Sequence, residues 1–270
     1  MIESAECRVL RFNFELEEIN DIPPWGEGDN KSLHWFGLTL GHYWISTPLG
    51  DVLRYTDEQL REWEDQSPYV DYQVARIFED IQSVLPSALE PVPVEIAALI
   101  EEGGWVDLVG QRLKSIDNTD EQNGLYELFW DATEWYGDRS IDTAYMVGGP
   151  NFCFCRLKDD VNFRWRTKAQ RWCLPRGQFT LPAQQFESAA YSFFDNFLAE
   201  TQKRVETIAT TGWHRTDCKV DVPLLVKEQQ QRTNQVEDLR KQRSETDWAA
   251  VSELVGRISG ELSIPSPLRR

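Results

Sequence analysis

Residues 140–167 constrain the fold more than any other part of this chain. Three short runs, S-I-D-T-A-Y-M-V, N-F-C-F-C-R-L and V-N-F-R-W-R-T, are separated by Gly148-Gly149-Pro150 and Lys158-Asp159-Asp160. Turn-forming residues at that spacing join strands of a β-meander. The third run alternates, with Val161, Phe163 and Trp165 on one side and Asn162, Arg164 and Arg166 on the other. That is the pattern of an antiparallel strand wetted on one face. The second run is apolar on both faces and belongs at the centre of its sheet. A fourth short strand is expected near residues 178–181.

A second sheet is expected upstream. Residues 6–16 alternate as a strand and end in the loop I-P-P-W-G-E-G-D-N. The stretch S-L-H-W-F-G-L-T-L-G-H-Y-W-I, residues 32–45, reads as two extended segments broken at Gly41. Residues 52–55 add a short strand after the turn at Pro48-Leu49-Gly50-Asp51, giving about four antiparallel strands. Between the two sheets the apolar spacing turns helical. Thr56-Asp57-Glu58-Gln59 forms a capping box for a short helix. Residues 72–85 form a helix stopped by Pro86, Pro93 opens another over 94–101, and a further one covers 121–135. A long helix follows Pro182 and stops at Gly212. Residues 223–260 are helix-prone, with a Gln-rich run over 228–235. The segregated order of strands, helices, strands and helices predicts an α+β fold with antiparallel sheets. The expected organisation is one α+β domain over residues 1–211 and a helical C-terminal extension over 212–270.

Composition narrows the partners. Apolar residues make up 41% of the chain and there are eleven tryptophans, enough for a packed core. The net charge is −17, and it is unevenly spread. Residues 1–140 hold 29 acidic and 9 basic side chains, whereas residues 141–270 hold 16 and 19. Such a field repels nucleic acid and speeds association with a basic protein. No leader and no membrane span is expected, since acidic residues precede any apolar run and no uncharged apolar window is long enough. Five widely spaced cysteines fit free thiols in a cytoplasmic protein.

No catalytic signature stands in the sequence: G-x-S-x-G, G-x-x-x-x-G-K-[ST] and G-x-G-x-x-G are all missing. Cys153 and Cys155 share a strand face, but a zinc site needs four ligands and no second close pair follows. Neither a metal nor a cofactor is expected. His34 and His42 lie eight residues apart, with Trp25 and Trp35 nearby, and define an alternative aromatic cleft for a small ligand or an enzyme. Glu127, Asp131 and Glu134 fall along one helix face and read as a solvated face. Asp138, Arg139 and Asp142 read as an internal ion pair at a helix-to-strand junction. The basic side chains of the meander are expected to meet the acidic N-terminal half or a dimer mate.

The set P-P-W-G, S-L-H-W-F-G-L-T, G-H-Y-W-I, P-Y-V-D-Y-Q-V-A-R, W-Y-G-D-R-S-I-D-T-A-Y and G-P-N-F-C-F-C-R resembles an uncharacterised bacterial family with a domain of unknown function. The resemblance covers about residues 8–210. It implies a cytoplasmic bacterial protein and, by analogy with small acidic orphan families, an immunity protein that neutralises a toxin. The leading expectation is therefore a non-enzymatic protein that occludes a basic toxin through acidic residues such as Asp29, Glu58, Glu62, Glu64 and Asp65. The runner-up is an enzyme or small-ligand receptor built around Trp25, His34, Trp35 and His42. A third reading is homo-oligomerisation through the helix over residues 223–260.

Overall fold

A computed structural model describes residues 9–63, 67–101, 104–116, 119–265 and 268, with the backbone alone for 119–121. Along the chain the elements are Arg11–Leu16 (β1), Ser32–Leu33 (β2), Leu40–Thr47 (β3), Gly50–Val52 (β4), Asp57–Trp63 (α1), Val70–Gln73 (β5), Val74–Ala88 (α2), Val94–Ala97 (α3) and Trp105–Leu113 (α4). They continue with Thr119–Gly137 (α5), Ser140–Ile141 (β6), Asn151–Leu157 (β7), Asp160–Arg166 (β8), Arg176–Pro182 (β9), Ala183–Thr211 (α6), Lys219–Val220 (β10), Val222–Leu239 (α7) and Trp248–Glu261 (α8). The fold is α+β.

The first sheet is antiparallel, with β3 between β1 on one edge and β4 and β5 on the other. Gly41 lies inside β3 opposite Leu16, whereas the sequence puts a break there. A Cβ on Gly41 would sit 2.2 Å from the Glu15 carbonyl oxygen, so the glycine permits close strand approach, not a turn. The turn is the 3-10 segment Gly37–Thr39 instead. The expected capping box is half formed. The Gln59 amide donates to Thr56 Oγ1 at 3.3 Å, while the Gln59 side chain turns to Glu62. Pro86 sits within the last turn of α2 and does not stop it. Helix α4 was not expected from sequence.

The second sheet runs β6-β7-β8-β9, all antiparallel, and separates two cores. The register aligns Phe152, Phe154, Val161, Phe163, Trp165, Phe179 and Leu181 on one face. These side chains pack beneath α6, whose Phe186, Phe193, Phe194 and Phe197 recur at helical spacing. Phe14 of β1 meets Phe193 and Phe197 edge-on, which joins the first sheet to the same core. On the other face Cys153 and Cys155 pack against a smaller core of α4, α5 and α8, through Val109, Leu113, Leu128, Ala132, Trp135, Val255 and Ile258. The four cysteines among the described residues are free thiols.

The chain after Gly212 contributes to both cores. Leu225, Val236 and Leu239 of α7 enter the first, and Val251, Val255 and Ile258 of α8 enter the second. Gln229, from the Gln-rich run, is buried. It accepts from Trp35 Nε1 at 2.7 Å and donates to the Leu198 carbonyl at 3.0 Å. Asp221 and Asp247 cap α7 and α8, each accepting amide hydrogen bonds in the first turn.

Two polar clusters fasten the elements. Tyr145 donates to Asp80 at 2.9 Å and lies beside Tyr43, whose hydroxyl is buried under Met146. Burial pushes the Asp80 carboxyl up to about 6, against the Tyr145 hydrogen bond and the nearby Arg76, both of which lower it. Arg139 is fully buried and pairs with Glu90 at 2.5 Å. The sequence points to a neighbouring aspartate, but Glu90 reaches Arg139 from 49 residues away. Arg139 also donates to the Trp135 carbonyl and lies over Trp248, while Glu90 accepts from the amide and hydroxyl of Thr246. The cluster thus ties the end of α2, the end of α5 and the approach to α8.

Candidate interaction surface

Helix α5 buries Leu125, Leu128, Ala132 and Trp135 against the second core. At 100° per residue, Glu127, Trp130, Asp131, Glu134 and Asp138 then fall in one stripe on the opposite side, and all five are exposed. Asp138 follows the last helical residue, and its amide donates to the Glu134 carbonyl at 2.9 Å, continuing the turn. Trp130 is 68% exposed, more than any other described tryptophan.

The charges on this stripe oppose helix stability. Glu127 and Asp131, like Glu134 and Asp138, are like-charged pairs four residues apart, each costing a few tenths of a kcal/mol. Glu134 and Asp138 sit at the negative end of the helix dipole; the last turn of α5 carries no basic residue, and the cation at that end is Arg139, which donates to the Trp135 carbonyl. Among the described residues none of the four carboxylates is in an ion pair. An exposed indole beside four carboxylates without ion pairs can seat an apolar anchor and several cations together.

The acidic residues singled out from sequence lie elsewhere. Asp29 is exposed on the 3-10 turn Gly28–Asn30, which returns the chain from Trp25 to Ser32. Glu58 and Glu62 are exposed on α1, a helix with no buried residue. That helix is held at its start by the Thr56 amide, which donates to the Arg171 carbonyl, and at its end by Trp63 against Arg171. Glu64 and Asp65 lie outside the described residues.

Of the alternative cleft, the structure brings two members together. Trp25 meets His34 edge-on at 5.5 Å, and His34 Nε2 is 3.0 Å from Ser32 Oγ, all at the surface. Trp35 points the other way, into the first core, with Arg232 stacked 3.8 Å from its ring centre. His42 lies on the solvent side of β3, facing Glu17 at 3.2 Å. No cluster of three or more metal-ligating side chains exists among the described residues.

Sequence reasoning names Glu127, Asp131 and Glu134 as a helix face but misses Trp130 at its edge. The signal was present: Trp130 is out of phase with Leu125, Leu128 and Ala132. No helix among the described residues is long and apolar enough to cross a membrane. No curated protein and no solved structure shows a match to the chain. The sequence profile of the family of unknown function DUF5984 matches residues 11–254, well beyond residue 210, and the chain belongs to that family.

Proposed function

We propose that this protein is a non-enzymatic binding protein of the bacterial cytoplasm that docks a basic protein partner on the exposed face of α5. In this reading it is an immunity protein: Trp130 inserts into a depression on a toxin, the surrounding carboxylates meet lysines or arginines, and the toxin's active site is covered. The observation that carries the reading is the stripe of four carboxylates beside Trp130, exposed and without ion pairs among the described residues, with Glu134 and Asp138 placed against the helix dipole. Charges that cost stability in the free protein support a role realised on binding. The excess acid of residues 1–140 adds long-range attraction for a cationic partner.

The test uses the product of the gene adjacent to this one, co-expressed with the full chain and measured by surface plasmon resonance. The expected result is a complex of micromolar affinity or tighter, with an association rate that falls steeply as salt rises. Trp130→Ala should accelerate dissociation and Glu127→Lys with Glu134→Lys should slow association, while thermal unfolding of both variants stays cooperative. A neighbour that encodes a metabolic enzyme, or a toxin-like neighbour that fails to bind at micromolar concentration, overturns the proposal.

A further inference from the structure

The face of the second sheet that carries Cys153 is not fully covered by the second core. Beyond the helices it opens into a cavity of about 520 Å³, within the size range of small-molecule sites. Strand register sets its floor. Asn151 of β7, Arg166 of β8 and Arg176 of β9 are directly opposite one another across the sheet, and Cys153, Arg164 and Gln178 form the adjacent row. Three arginines thus occupy neighbouring positions on one sheet face. Ile100 and Val106 supply an apolar wall, and Tyr136 from α5 and Asp107 from α4 complete the rim.

The floor is cationic, and Asp107 on the rim is the one carboxylate among the lining residues. Arg166 and Arg176 are a directly opposed cross-strand pair, an arrangement that like charges destabilise. The sequence leads one to expect the meander's arginines against the acidic N-terminal half or a dimer mate. Among the described residues, however, none of Arg164, Arg166 and Arg176 is in an ion pair. Other basic side chains nearby are engaged: Arg156 donates to the carbonyls of Leu89 and Lys158, and Arg171 covers Trp63. Arg164 is also close enough to Cys153 to help hold its thiol below the usual range, the Cys155 hydrogen bond being the larger cause.

We propose that this cavity binds a small phosphate monoester, with the phosphoryl group on Arg164, Arg166 and Arg176 and the organic body against Ile100, Val106 and Tyr136. Guanidinium groups pair with phosphate oxygens in a planar two-point fashion, and three of them match a dianion. Asn151 and Gln178 add neutral donors at the ends of the two rows. A compact ligand fits better than a polyanion, because a molecule of charge −17 repels extended nucleic acid. This site is on different residues from the α5 stripe and stands or falls separately from it.

The test is isothermal titration calorimetry of the full chain with phenyl phosphate, phenol and inorganic phosphate, and with a short single-stranded RNA. Phenyl phosphate should bind saturably at one site and more tightly than inorganic phosphate, and phenol should not bind. Arg166→Gln and Arg176→Gln should each weaken phenyl phosphate about tenfold, the loss expected for a hydrogen bond to a charged group. Gln178→Glu, which adds a carboxylate to the floor, should abolish binding while circular dichroism and unfolding temperature hold. No saturable binding of phenyl phosphate at millimolar concentration overturns the proposal. So does binding that survives both the Arg166→Gln, Arg176→Gln pair and Gln178→Glu, or a preference for the RNA.

Discussion

The two cores on either side of β6-β7-β8-β9 are built differently. The first is closed by aromatic rings from three directions, with Phe154 stacked on Phe163 at 4.5 Å and Phe78 within 4.7 Å of Phe197. The second is made largely of helices, rests on two cysteines of the sheet and leaves the arginine rows of β8 and β9 uncovered. Large rings fill volume and exclude water, so the first core holds the architecture together. Around the second lie opposed arginines and a helix face of acids without ion pairs, features that cost stability. Stability and proposed function are therefore divided between the two faces of one sheet.

Substitutions should separate the two. The largest loss is expected for Phe163→Ala, about 3–5 kcal/mol in urea unfolding, because the cavity would open where rings meet from β7, β9 and β8 itself. In the second core Arg139→Met should cost about 3 kcal/mol, since it leaves Glu90 without its buried partner. If Arg139→Met proved neutral, the ion pair would not be what fastens α8. Gly177→Ala should cost about 1–3 kcal/mol, because its Cβ would lie 2.3 Å from the Trp165 ring. That loss should appear although Gly177 borders the open cavity on the opposite face.

Asp80 provides a pH-dependent test of the first core. Its carboxyl is raised in the folded state from 3.8 to about 6, so between these values the folded chain holds a proton that the unfolded chain has released. Its contribution to stability is complete below the lower value and falls as pH rises through the upper one. Asp80→Asn should remove this component from the pH dependence of the unfolding temperature and raise stability at pH 7. The smallest effect is expected on α5. Glu134→Lys should be neutral or stabilising by about 0.3–1 kcal/mol, since it places a cation at the helix C-terminus. A clear destabilisation would show that the acidic stripe is structural.

The first core was largely legible in the sequence because it follows simple periods. Val161, Phe163 and Trp165 alternate, Phe186 to Leu198 recur at helical spacing, and both faces of F-C-F-C are buried as expected. The second was less so. Trp105, Val109 and Leu113 mark α4 at four-residue spacing, but the flanking Gly104 and internal Gly110 read as breakers. Arg139 finds Glu90 only through tertiary structure, and nothing local distinguishes Gln229 from its exposed neighbour Gln230. Of the proposed surface, the carboxylate periodicity was visible. The cavity was not, because its two arginine rows depend on the register of β8 with β9.

The hydrogen bond from Trp35 to Gln229 closes a loop of 194 residues. Contacts of such separation form slowly, because the entropy of ordering the intervening chain is lost before the contact contributes. The buried side chains of β2 and of the segment after it therefore wait for β10 and α7, which arrive late along the chain. Until these dock, Trp35 and Leu33 lack part of their cover against water and other chains. Refolding yield should accordingly fall as protein concentration rises, even where the finished fold is stable.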